Sequence, residues 1–148
     1  LAMRGSAEAI DVLTALDGVR RTFRSLDYER SLARAWVVAA QGAVREAIAA
    51  MPDEDRILAE GIDRIVSEVA PQLVPKTWYG FPSYATEEGK IVVFFKAASK
   101  FTSRYATLGF EESAQLDDGD LWVTSFAVIA LTPTTEKTIA EYIRKAAG

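Results

Sequence analysis

The feature that most limits what this chain can fold into is a change of hydrophobic rhythm between Pro71 and Pro75. Upstream, apolar residues recur at helical spacing. Val12, Leu13, Leu16, Val19, Phe23 and Leu26 mark a helix over 8–26, with Arg20, Arg21 and Arg24 mostly on its other side. Trp36, Ala40, Ala43, Val44, Ala47 and Ile48 mark a second helix over 32–50, where alanine density favours helix and permits close packing. Pro52 opens a third. Proline suits a helix start, and Asp53, Glu54 and Asp55 oppose the positive end of the helix dipole there. Its predicted buried face is Ile57, Leu58, Ile62, Ile65, Val66 and Val69, and Pro71 ends it.

Downstream of Pro75 the apolar residues alternate, as strands half-buried on one side require. Lys76–Tyr79 and Ser83–Thr86 are predicted short strands around a Gly80-Phe81-Pro82 bend. Glu88-Gly89 suits a tight hairpin turn, since glycine supplies positive φ. Lys90–Ala97 is the clearest strand, with Ile91, Val93 and Phe95 on one face and Val92, Phe94 and Lys96 on the other. Ser103–Gly109 is its expected antiparallel partner, and Leu121–Ala127 follows the Asp117-Asp118-Gly119-Asp120 turn. Thr134 or Thr135 is the expected cap of a last helix holding Ile139, Tyr142 and Ile143. Helices, then hairpin strands, then a helix is an α+β order. The expectation is an antiparallel sheet of about five strands with helices packed on one side, over 41–148. Residues 1–40 are expected to be a helical extension through which two copies pair.

Composition excludes several functions. The chain has no cysteine and no histidine. It therefore has no disulfide, thiolate nucleophile, imidazole base or soft metal ligand, and any metal must be held by oxygen. No catalytic motif is present, and no enzyme is expected. The net charge of −4 argues against sequence-independent nucleic-acid binding. No apolar run nears the roughly 20 residues that span a bilayer. Leu1–Ser6 lacks a signal-type apolar core and reads as a truncated or appended end, so a cytoplasmic location is expected.

Three constellations remain. Trp78-Tyr79-Gly80-Phe81-Pro82-Ser83-Tyr84 sets four rings around a bend, as core rings or as the lip of a pocket. Lys96, Lys100 and Arg104 fall on a predicted hairpin, where like charges repel unless an anion lies between them. That anion is either a ligand or an internal carboxylate from Asp117, Asp118 or Glu111. Residues 76–110 carry five bases against two acids, whereas 111–120 carry five acids and no base, so mutual neutralisation is open. The acidic stretch itself, with Glu111, Glu112, Asp117, Asp118 and Asp120, is either a solvated turn or an oxygen-only cation site.

These residues also resemble a known family. Trp78–Tyr84, Val93-Phe94-Phe95-Lys96, Lys100-Phe101, Arg104–Phe110 and Leu116-Asp117-Asp118-Gly119 with Trp122 and Thr124 look like the YdhG-like bacterial family, a domain of unknown function. The Met51-Pro52 helix and the closing Glu141–Lys145 helix fit it too, so the likeness spans about 43–148. The resemblance implies a frataxin-like α+β domain with an intracellular iron-chaperone role. On that implication Asp117 and Asp118, with Glu111 and Glu112 beside them, would hold iron weakly. Residues 1–40 match no pattern of the family.

Three readings of function follow. One is a small-ligand or metal-binding domain of the iron-carrier kind. Another is a pocket for an anionic small molecule, with Lys96, Lys100 and Arg104 clamping charge and Trp78, Tyr79, Tyr84 or Trp122 stacking on it. The third is a protein-interaction module built on the N-terminal helices.

Overall fold

A computed structural model describes the backbone of residues 2–148 and the side chains of residues 25–148. Three helices and five strands follow in the order α1 (Ala2–Ala49), α2 (Asp53–Val69), β1 (Val74–Trp78), β2 (Phe81–Ala85), β3 (Ile91–Lys96), β4 (Ala106–Phe110), β5 (Ser125–Val128) and α3 (Pro133–Ala147). By internal contacts the chain divides into Leu1–Trp36 and Val37–Gly148, against an expected boundary after residue 40.

The two helices expected over 8–26 and 32–50 are one. The joining stretch Asp27-Tyr28-Glu29-Arg30-Ser31 holds no glycine or proline, so nothing breaks the helix there. The stripe from Val12 to Phe23 lies outside the described side chains. In the first unit Leu26, Tyr28, Leu32 and Trp36 are exposed, so Trp36 leaves the stripe predicted for it.

The second unit is the expected α+β domain. Its strands form an open antiparallel sheet in the order β1-β2-β3-β4-β5, each hairpin neighbouring the next. One face meets the helices. Val93, Phe95, Leu108, Phe110 and Val128 share a core with Val44 and Ile48 of α1, Leu58, Ile62 and Val66 of α2, and Ile139 and Ile143 of α3. Asp55, Leu58, Ala59, Ile62, Ile65 and Val66 form the buried stripe of α2, and Ile57 is exposed instead, one residue off that spacing. The cap of α3 is Thr132, two or three residues earlier than the expected Thr134 or Thr135. Its Oγ1 accepts from Thr135 N at 3.2 Å, with Pro133 opening the helix.

The hairpin turns fix the sheet's outer features. Trp78 pairs with Phe81, so the β1–β2 loop is the two residues Tyr79 and Gly80, both left-handed at φ 50° and 76°. This is the mirror-image turn that strand twist favours in two-residue hairpins. The bend therefore lies one residue earlier than Gly80-Phe81-Pro82, and Phe81 and Pro82 belong to β2. The β2–β3 loop turns on Gly89 at φ 87°, with Gly89 N donating to Thr86 O at 2.9 Å.

Candidate functional site

Strand register decides which side chains stand on the face away from the helices. Lys76 pairs with Ser83, Ser83 with Phe94, Phe94 with Gly109, and Gly109 with Ser125. Alternation adds Trp78, Phe81, Lys96 and Thr107 to the same face. Glycine at 109 is required here, because a Cβ would collide with the Phe94 ring that lies across it.

Around Phe94 the rings form a connected patch. Trp78 meets Phe94 edge-on at 5.4 Å and Tyr79 at 5.0 Å, while Phe81 stacks on Phe94 at 6.3 Å. Phe101, from the short 3-10 helix Ser99–Phe101 between β3 and β4, reaches Phe81 at 5.4 Å. Trp78, Phe81 and Phe94 are half-buried, Phe101 is exposed, and Tyr79 is 76% exposed. Tyr79 and Phe101 are the members of the patch that stand most open to water.

Two ammonium groups lie on the rings. Lys96 Nζ is 4.3 Å from the Phe101 centroid, and Lys100 Nζ is 5.1 Å from that of Phe81 and 3.4 Å from Tyr79 O. Among the described residues, no carboxylate lies within 4 Å of Lys76, Lys96, Lys100 or Arg104. The ion pairs found are those of Arg56, Arg64 and Lys90. Asp117, Asp118 and Glu111 thus do not neutralise the basic set.

A groove of about 560 Å³ runs against Trp78, lined also by Lys90, Ile91, Glu111, Glu112 and Ser113. Its volume is in the range of small-molecule sites. Trp78 therefore borders both the ring patch and the groove.

The residues expected to line one pocket separate into groups. Trp78, Tyr79, Lys96 and Lys100 come together, joined by Phe81, Phe94 and Phe101. Tyr84 does not join them. It is 1% exposed on the helix side, where its hydroxyl donates to Asp63 Oδ1 at 2.7 Å. Burial first, then the Asp63 carboxylate and the hydrogen bond to it, push the Tyr84 phenol far above its usual range. Arg104 stacks on Tyr105 at 5.4 Å, and no ring or cation contact ties the exposed Trp122 to the patch. Asp117, Asp118, Glu111 and Glu112 are not gathered into a donor set. Among the described residues, no three acidic side chains stand together where they would hold a metal ion.

One part of the arrangement was hidden in the sequence. Asp55, read as opposing the helix dipole, is 5% exposed and binds the backbone of the loop that carries Lys100 and Phe101. Its place three residues before Leu58, on the buried stripe of α2, is the signal that marks it.

Compared with known proteins, the chain matches no family model, no curated protein and no solved structure. The likeness to the YdhG-like family rests on the quoted motifs alone. Among the described residues, no helix is long and apolar enough to cross a membrane.

Proposed function

We propose that this chain is a binding module, without catalysis of its own, for a small molecule that joins a flat ring to a negative charge. Its site is the helix-free face of the sheet around Phe94. One observation carries the reading: Lys96 and Lys100 sit over phenylalanine rings with no carboxylate within ion-pair distance among the described residues. In a chain of net charge −4, unneutralised ammonium groups beside exposed rings favour an anionic partner. Tyr79, Trp78 and Phe101 would supply stacking area, and the groove beside Trp78 would take the rest of the molecule. The carboxylate reading, with iron held by Asp117 and Asp118, has no such support in the geometry.

Calorimetry with AMP, which carries both a ring and a phosphate, tests the proposal against adenosine and inorganic phosphate. AMP is expected to bind at least about tenfold tighter than either control, a gain of about 1.4 kcal/mol. Joint Lys96→Met and Lys100→Met replacement is expected to abolish that gain. AMP binding no tighter than adenosine would overturn the reading. So would saturable ferrous binding that is lost with Asp117→Ala plus Asp118→Ala, if AMP showed none.

A further inference from the structure

Asp55 is an unusual residue to find on a buried helical stripe. Ionised side chains are almost never fully buried unless they are partnered. Its position in the first turn of α2 would let it serve its own helix or water. Instead both carboxylate oxygens reach across the domain. Oδ1 accepts from Ala98 N at 3.2 Å, and Oδ2 accepts from Ser99 N at 3.3 Å and from the Ser99 hydroxyl. All three donors lie at the entry to the Ser99–Phe101 turn.

That turn is short and closed. Thr102 leaves it in a left-handed conformation at φ 52°, and Ser103 N donates back to Ala98 O at 2.9 Å. The two residues after Ser99 make the outer contacts of the face: Lys100 over Phe81, and Phe101 between Phe81 and Lys96. A rigid body so small has its orientation set by whatever grips its entry, and Asp55 grips it from the helix layer.

We infer that Asp55 is the positioning residue of the ring-and-ammonium face, holding Lys100 and Phe101 where an anionic ring would meet them. The inference rests on the binding reading above. Asp55 does not touch the ligand. It acts through two backbone amides and a hydroxyl, as a supporting side chain fixes a site it does not line.

The test compares Asp55→Asn and Ser99→Ala with Asp53→Asn, an exposed neighbour in the same turn whose ion pair, among the described residues, is with Arg56. Two readouts are taken: AMP affinity by calorimetry, and the Phe81–Phe101 ring contact by NMR. Asp55→Asn is expected to weaken AMP by about tenfold and Ser99→Ala by about threefold, in line with losing charge-assisted bonds. Both should weaken the ring contact, and Asp53→Asn should change neither. If Asp55→Asn does not fold, Ser99→Ala decides. Variants that keep both readouts within twofold of the parent chain would overturn the inference. If the parent chain binds no AMP, the binding reading falls, and the Phe81–Phe101 contact alone decides whether Asp55 positions the turn.

Discussion

The Tyr84 hydroxyl donates to Asp63 Oδ1 at 2.7 Å, which fastens the second strand of the sheet to α2 through a phenol that is 1% exposed. The bond joins a buried donor to a half-buried carboxylate. Such a charge-assisted bond contributes more than a neutral one, although Asp63 retains some access to water. Tyr84→Phe keeps the ring and removes the bond. We expect it to cost about 1.5–3 kcal/mol in urea unfolding, with an unchanged slope.

The same pair sets an alkaline limit. Burial raises the Tyr84 phenol far above its ordinary value of about 10, so the folded state keeps the proton that the unfolded state loses. Its contribution is therefore fully present below about pH 10 and falls as pH rises beyond it. The slope is about 1.4 kcal/mol per pH unit from this group. Urea midpoints measured between pH 8 and 11.5 should drop above pH 10, and Tyr84→Phe should flatten that drop. An equally steep fall in the variant would contradict the assignment.

How much of this was legible in the sequence depends on which interaction fixed each residue. The alternation of Ile91–Lys96 is a local signal and names the faces of Val93, Phe94, Phe95 and Lys96, because one face meets the helices and the other the rings. It fails at Ile91 and Val92, where the register shifts beside Tyr84 and Ala85, so that Val92 joins the core and Ile91 lines the groove with Trp78. The β1–β2 turn lies one residue earlier than the sequence suggests, because Pro82 has the character of a turn residue. In the structure it fits inside β2, since pairing with β3 begins only at Ser83 and Phe94 and Pro82 needs no bond there. Trp78 and Lys96 stand out in the sequence as candidates, whereas Phe94 and Phe101 read there only as strand and motif residues. Only the register across three strands puts the Phe94 ring beside Trp78 and Phe81, and only the short 3-10 helix between β3 and β4 brings Phe101 to Phe81. For Asp55 the helix dipole is a sufficient local cause in the sequence, and it hides a partner 44 residues along the chain.

Gly109 offers a test of the patch that needs no ligand. It pairs with Phe94 on one side and Ser125 on the other, and any Cβ there meets the Phe94 ring. Gly109→Ala should cost about 1–3 kcal/mol, the usual penalty of overpacking. It should also displace Phe94 from Trp78, read as loss of their contact by NMR. In a Phe94→Leu background the same substitution should cost distinctly less, and a strictly additive double-mutant cycle would show that the ring is not the obstacle.

Thr132 is a cap whose value can be read in isolation. Its Oγ1 accepts from Thr135 N and lies 2.9 Å from the Thr135 hydroxyl, at the exposed start of α3. Thr132→Ala should lower stability by about 1 kcal/mol, and Thr132→Ser should recover most of it, because serine caps at least as well. Thermal melts of the three chains are enough to check this.

Tyr79 separates binding from stability most sharply. It holds a left-handed conformation at φ 50°, which costs a residue with a Cβ roughly 1–2 kcal/mol, and its ring is too exposed to return that through burial. Its packing on Trp78 at 5.0 Å offsets part of the strain. Glycine at 79 would remove both the strain and the ring. Tyr79→Gly is therefore expected to leave stability unchanged or raise it by up to about 1 kcal/mol, while weakening AMP several-fold. The neighbouring Gly80→Ala should behave in the opposite way. Its φ of 76° penalises alanine, so stability should fall by about 1–2 kcal/mol, while Lys100 Nζ, 2.6 Å from the new Cβ, would only have to swing aside. If Tyr79→Gly instead destabilised the domain as much as Gly80→Ala does, the ring would belong to the fold, and the face would lose its best stacking surface.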